Sequence, residues 1–423
     1  MTAASNIEND SQIGFPMTIL ADATPVETDR RPFSIRPLMF ETFMCSMAMM
    51  AFVALAGPIA RVIGLAPWQV GAAMTVAGAA WMVMARVWGA ASDRRGRRPV
   101  ILFGLAGFAI SYFLLSLFID LALRTAMVPV LAFAGLLIGR GVAGVFYAAV
   151  PATGAALVAD HVPPEGRAAA MAGIGASSGA GMVIGPGAAG LLAPYGLNLP
   201  LYLTAALPVL ALVILWRALP RIERHAPPKA EPLRLSDMRL RRPMTVAFIA
   251  MFSVAVAQVT VGFYALDRLH LDPPGAARAA GIALAAVGVA LVLVQIALRK
   301  LNWPPARLIR IGGIVGAIGF GAVMLAASAP MLWACFAVAA AGMGWIFPSV
   351  SALAANSVEA HDQGAAAGTV AAAQGLGVIL GPIAGTFVYG IDNGAPYALI
   401  AAMLLATAMW RERTCSDAGC GCG

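Results

Sequence analysis

Charge is scarce in this chain. Of its 423 residues only 11% are Asp, Glu, Lys or Arg, against 60% that are hydrophobic, and the mean hydropathy is +0.83. A water-soluble core of ordinary size cannot hide that much apolar surface, so the composition excludes a soluble globular class and places the chain in a bilayer. Histidine is scarcer still: His161, His225, His270 and His361 all fall outside the apolar stretches. No glycine-rich phosphate loop and no spaced set of metal-ligating residues occurs, so an enzyme, an ATP-driven pump, a resident metal and a cofactor are not expected. Residues 1–36 are polar, acidic early, and carry no apolar core ahead of a small-residue cleavage site. The first apolar helix is therefore expected to act as the insertion signal.

What is abundant is apolar sequence in lengths of roughly 20 residues, the length needed to cross a bilayer as a helix. It predicts an all-α membrane protein with twelve transmembrane helices at about 37–61, 68–91, 98–119, 127–151, 166–193, 198–219, 243–266, 277–299, 307–328, 330–355, 363–390 and 394–410. Most connections are short. Residues 220–242, with Pro227, Pro228, Pro232, Arg234, Arg239, Arg241 and Arg242, read as a linker between two six-helix bundles at 37–219 and 243–410. Residues 1–36 and 411–423 are the tails. The 45 glycines suit helices that approach closely in lipid, where small residues permit tight packing.

Cytoplasmic loops of membrane proteins carry the excess of Arg and Lys. With the N-terminus inside, the inner segments hold Arg30, Arg31, Arg36, the cluster Arg94 to Arg98, Arg167, the linker, Arg299, Lys300, Arg307, Arg310, Arg411 and Arg413. The outer ones hold Arg61, Arg124, Arg268 and Arg278. Both termini and the linker are therefore expected in the cytoplasm. This spread over loops also accounts for the isoelectric point near 9.7, and a nucleic-acid partner is not expected.

The halves repeat with an offset of 196 positions, which carries Asp160 onto Asn356, Gly179 onto Gly375, Gly181 onto Gly377, and Gly185-Pro186 onto Gly381-Pro382. Duplicated six-helix units related by an axis along the membrane normal are the architecture of alternating-access carriers, with the substrate site between them near the midplane.

One dense knot of charge interrupts the apolar pattern at Gly89, Asp93, Arg94, Gly96, Arg97 and Arg98. Read physically, Gly89 lets the second helix approach the eleventh. Asp93 sits where the positive end of the eleventh helix, near Gly364, stabilises a carboxylate, and Arg97 can pair with Asp160 to complete a latch. A plain positive-inside anchor is the other reading, although anchoring needs neither the Asp nor the glycines. The second half lacks a matching segment between Gln295 and Arg307, so the latch is one-sided. These residues match G-x-x-x-D-R-x-G-R-[RK], and by them the chain, over about 37–411, resembles the major facilitator superfamily, more narrowly its twelve-helix drug:proton antiporter branch.

Gly181, Gly185, Pro186 and Gly190 in the fifth helix resemble that branch's antiporter motif, with Ala189 in place of one expected glycine. A proline that removes a backbone hydrogen bond beside glycines that admit a neighbour also suits a pivot between the halves, or simply a small-residue packing face. Arg140, deep in the fourth helix, is costly in lipid and is expected to face a cavity or to be satisfied by backbone carbonyls. Its place resembles the family's helix-4 signature, implicated in proton coupling. Among the acids only Glu41 falls inside a predicted helix, which makes it the expected proton carrier; a helix-start carboxylate held by the helix dipole is the alternative.

Tyr147, Gln258, Tyr264, Trp345 and Gln374 are expected to line a chamber for an amphipathic solute. Cys45 and Cys335 read as small core residues. Cys415, Cys420 and Cys422 form a tail that either binds a soft metal or is dispensable, since no four-ligand pattern is complete. The resemblance implies a monomeric inner-membrane exporter of a small amphipathic compound, driven by the proton gradient. Export of an endogenous metabolite such as a siderophore, uptake by symport, and a non-transporting sensor are the competing readings.

Overall fold

The computed structural model describes residues 33–125, 127–219, 238–298, 303–359 and 362–410. Among them there is no β-strand, and thirteen α-helices run α1 Arg36–Val62, α2 Pro67–Arg95, α3 Arg97–Arg124, α4 Pro129–Tyr147, α5 Ala149–His161, α6 Pro164–Leu192, α7 Asn198–Ala218, α8 Arg241–Asp267, α9 Pro273–Leu298, α10 Pro305–Val323, α11 Ala329–Asn356, α12 Gln363–Tyr389 and α13 Ala395–Met409. With α4 and α5 forming one continuous span, eleven are long and apolar enough to cross a membrane, and α13 is a shorter apolar helix. Twelve expected spans are thus matched by twelve apolar elements.

Local chemistry sets many of the ends. Prolines occupy the first turns of α1, α2, α4, α6, α10 and α11, where their fixed φ suits the helix and the missing N–H is not needed. Hydroxyls inside the spans turn back onto their own helix: Thr204 donates to the Pro200 carbonyl at 2.7 Å, Thr260 to Val256 at 2.8 Å and Thr386 to Pro382 at 2.7 Å, so these three are satisfied without a partner from another helix.

Two expectations need correction. The fourth helix, expected at 127–151, is broken at Ala148 and continues to His161. Pro151 cannot donate to the Tyr147 carbonyl, which locates the break. The charged segment from Gly89 is not a loop. It stays helical through Arg95, and the chain turns only at Gly96, whose φ of +93° favours glycine.

α1 packs on α6 and α7, and α8 on α12 and α13; the two central helices also touch each other. Large apolar side chains on α2, α3, α4 and α9, such as Val83, Phe103, Ile110, Ile138 and Leu293, are exposed, which is what a lipid-facing surface requires. One end of the bundle, the basic face, carries the starts of α1, α3, α8 and α10. The opposite face carries Arg61, Asp267 and Tyr389.

At the opposite face the halves are pressed together. A Cβ on Gly57 would lie 2.8 Å from the Phe263 nitrogen of α8, one on Gly190 2.9 Å from the Ala277 carbonyl of α9, and one on Gly78 3.3 Å from the Ile379 side chain of α12. Thr75 donates to the Ile379 carbonyl at 2.6 Å. Arg61 forms an ion pair with Asp267, which also accepts from the Tyr389 hydroxyl at 2.9 Å. Toward the basic face the pattern reverses: Gly89, Gly175, Gly179, Gly368 and Gly375 have no atom within 4 Å of the place a Cβ would occupy.

Candidate functional site

Between the halves, below the tight opposite face, lies a cavity of about 200 Å³. Met50 of α1, Met182 and Val183 of α6, Met251 and Gln258 of α8, Leu284 of α9 and Phe336, Met343 and Phe347 of α11 are among its walls. Every lining residue but Gln258 is apolar or glycine. Four methionines give the wall unbranched, polarizable side chains that repack around different shapes. The arrangement can therefore hold an uncharged or weakly polar aromatic body and offer it one amide for a hydrogen bond.

Of the five expected lining residues only Gln258 is there. The Tyr264 hydroxyl donates to the Val323 carbonyl at 2.6 Å and is fully buried in the second half, because a tyrosine so far along α8 points into the α10 end rather than the chamber. Tyr147 lies tilted against Phe108, ring centres 5.1 Å apart, within the first half. Trp345 packs on the α10 backbone at Gly312, and Gln374 is half-buried away from this cavity.

Glu41 is 1% exposed. It is not a solvated helix-start carboxylate. Thr42 donates to its Oε2 at 3.2 Å, while Oε1 is buried with no hydrogen-bond partner. Arg140, 4% exposed, is satisfied neither by a carboxylate nor by the carbonyls considered above. Its Nη2 meets the Met74 sulfur at 3.2 Å, its Nη1 the Met49 sulfur at 4.0 Å, and its guanidinium lies 4.7 Å from the centre of the Phe52 ring; Nε has no partner. Met49 is two helical turns beyond Glu41 on α1, about 12 Å away along the axis. The two deep charged groups are thus in the same half but are not paired with each other.

At the basic face Arg97 gathers the latch. Its Nε donates to Asp160 Oδ2 at 2.9 Å and its Nη1 to Ser92 Oγ at 2.7 Å; the same Nη1 pairs with Asp93. Ser92 donates onward to the Gly89 carbonyl at 2.8 Å. The expected Arg97–Asp160 pair is present. The expected approach of Gly89 to α12 is absent from this state, since nothing lies within 4 Å of a Cβ placed there, and Asp93 pairs with Arg97 across the turn at Gly96. Arg98 donates to the Trp216 carbonyl at 2.9 Å, tying α3 to α7, and Arg94 is exposed.

The glycine motif divides between two partners. Gly181 and Gly185 lie against the α1 backbone at Phe43 to Met47 inside the first half, whereas Gly190 and the Pro186 carbonyl meet Gly281 of α9 in the other half. Their repeats behave alike: Gly377 and Gly381 lie on α8 at Phe248 to Val256. Cys45 and Cys335 are buried free thiols; Cys415, Cys420 and Cys422 lie outside the described residues, as do most of the linker and both tails.

The opposite-face lock of Arg61, Asp267 and Tyr389 has no sequence signal, since its members are far apart in the chain and each reads as an ordinary span end. The methionines of the cavity left a trace in the count of 21, but nothing in their spacing says that they converge.

A bundle of twelve apolar spans, closed at one face, open toward the other and enclosing an apolar chamber between two repeated halves, is the structure of an alternating-access membrane transporter, not of an enzyme. The sequence model of the Major Facilitator Superfamily matches residues 38–329 and 302–414. The chain belongs to that superfamily. It is 31% identical over 344 residues to the class C tetracycline resistance protein of Escherichia coli, covering 76% of this chain and 81% of that protein. It is 26% identical over 340 residues to multidrug resistance protein 2 of Bacillus subtilis (strain 168), covering 76% and 81%. These relatives are named for resistance to tetracycline and to multiple drugs. A crystal structure of a D-xylose-proton symporter shares the fold, with a TM-score of 0.67 at 16% identity over 88% of this chain and 95% of that one.

Proposed function

We propose that the protein is a proton-driven exporter of small amphipathic compounds, acting as a monomer in the cytoplasmic membrane with its basic face, both termini and the linker inside and with no cofactor beyond the proton gradient. The observation that carries this is the apolar chamber between halves that are sealed at one face and parted at the other. With the basic face in the cytoplasm the structure is the inward-open state, ready to take cargo from the inner leaflet or cytoplasm. The sequence relatives named for resistance to tetracycline and to multiple drugs support efflux as the direction. Gln258 and the methionine walls favour a largely apolar cargo.

In this reading Glu41 carries the proton. Its free Oε1 can be protonated without losing a hydrogen bond, and it lies on α1, the helix that packs against both halves and must move in any exchange of access. Arg140 contributes a fixed buried charge on the same half, held by soft neighbours that it can leave as α1 and α2 shift. Asp93, Arg97 and Asp160 form a latch that in the outward-open state would include the start of α12. A ligand or proton moves such an equilibrium only by its differential affinity for the two states.

Everted membrane vesicles energised by a pH gradient test this. Tetracycline and a catecholate iron chelator serve as separate probes. The wild type is expected to accumulate tetracycline, Glu41→Gln to lose the response to the gradient while still equilibrating the probe, and Arg140→Ala to lose both. If both variants kept gradient-driven accumulation, the coupling assignment would be overturned. Transport of the chelator alone would make the cargo a metabolite rather than a drug.

A further inference from the structure

A second cavity, of about 470 Å³, opens at the basic face between the first turns of α8 and α10 and the last turn of α13. Arg242, Arg307, Arg310, Met409 and Trp410 line it, and among the described residues no carboxylate does. Among the described residues Arg310 has no hydrogen bond or ion pair, and Arg307 only stacks on Trp303, with its guanidinium 4.3 Å from the ring centre. Arg241 stands 5.8 Å from the Trp410 ring, and Arg242 donates to the Trp410 carbonyl at 3.3 Å. Two indoles at helix ends mark the depth of the membrane interface.

The corresponding corner of the first half is built differently. There Arg98 reaches directly from α3 to the Trp216 carbonyl of α7. In the second half the equivalent helices, α10 and α13, are not joined by the α10 arginines, which project over a hollow instead. Met409, 72% exposed, flanks that hollow with its apolar side chain. Guanidinium groups of Arg307 and Arg310 with no acid among the described lining residues, an apolar flank and interfacial depth together describe a receptor for a phosphate ester with hydrocarbon attached.

We propose that this cavity binds the phosphodiester headgroup of an anionic phospholipid, held by Arg307 and Arg310 with its acyl chains lying along Met409. The site is separate from the transport chamber and does not depend on the direction of transport. It ties α8, α10 and α13 together through a lipid where the first half uses a protein hydrogen bond.

Native mass spectrometry of the full-length protein, titrated with phosphatidylglycerol, phosphatidylcholine or inorganic phosphate, tests it. Taking about a fivefold contribution per surface arginine, Arg307→Gln/Arg310→Gln is expected to weaken phosphatidylglycerol retention about 25-fold. Arg95→Gln/Arg217→Gln, which removes two exposed arginines from the first half, should leave it nearly unchanged, and Arg310→Lys should keep most of it. Melting temperature in phosphatidylcholine alone checks that the variants fold. Equal binding of phosphatidylcholine, equal loss in the control variant, or displacement of the lipid by millimolar phosphate would each overturn the proposal, the last in favour of a free-phosphate site.

Discussion

The two faces of this transporter hold their halves by opposite means. At the face of Arg61 and Asp267 the helices meet backbone to backbone at Gly57, Gly71 and Gly190, and a three-residue polar lock spans the gap. At the basic face the polar network of Ser92, Asp93, Arg97 and Asp160 stays entirely within the first half, and Gly89 faces open space. Glycine contacts are steep and short-ranged because a single added carbon separates the backbones, whereas exposed ion pairs are shallow and easily replaced by water. Closure is thus set mainly by packing. The ion pairs decide between partners that packing has already brought near.

That contrast can be broken most severely at Gly57. Gly57→Val inserts branched carbons where the α8 backbone lies 2.8 Å from a first Cβ, and overpacking of this kind costs about 1–3 kcal/mol. The expected result is a shift of the population away from the structure described above, read as a longer distance between spin labels at the opposite-face ends of α3 and α9; an unchanged distance would show that packing at Gly57 does not hold this face shut.

Gly89→Leu probes the other side. The residue has room for a side chain in this state, so the melting temperature should stay within about 2 °C of the wild type, since a surface change costs only about 0.5 kcal/mol. Transport should nevertheless fall sharply, because the basic face could no longer close against α12. Normal transport by this variant would mean that Gly89 is never packed at any stage of the cycle.

The smallest effect is expected at the polar lock. Arg61 is half exposed in its pair with Asp267, and such pairs contribute about 0.2–1 kcal/mol. Arg61→Gln should shift the same label distances only slightly and raise the rate of exchange between faces about two- to fivefold. A collapse of the closed state would assign to charge what is here assigned to packing.

Much of this molecule is legible in its residues. Apolar length gives eleven of the twelve spans to within about five positions, the fourth running on to His161, and the repeat of Gly181 and Gly185 at Gly377 and Gly381 is mirrored in the packing of both pairs on the central helices. The Arg97–Asp160 pair follows from two charges that have few other partners. The chamber is where reading by residue type fails. Tyr147, Tyr264 and Trp345 are polar-aromatic residues of the kind that line sites, yet in helices their direction is fixed by rotation about the axis, and all three spend their polarity or area on neighbouring helices. Met182, Met251 and Met343 look like core filling and instead form the walls.

The sequence by itself determined the bilayer setting, the number of spans, the duplication and the charged corner at Gly89 to Arg98, because each rests on composition or spacing along one helix. Only the tertiary structure decided which face is closed, that Glu41 and Arg140 stand apart, and that Arg307 and Arg310 share a hollow. Those facts depend on how one helix is rotated and tilted against another, and in lipid that is settled by many small contacts between backbones rather than by any pattern within a single helix.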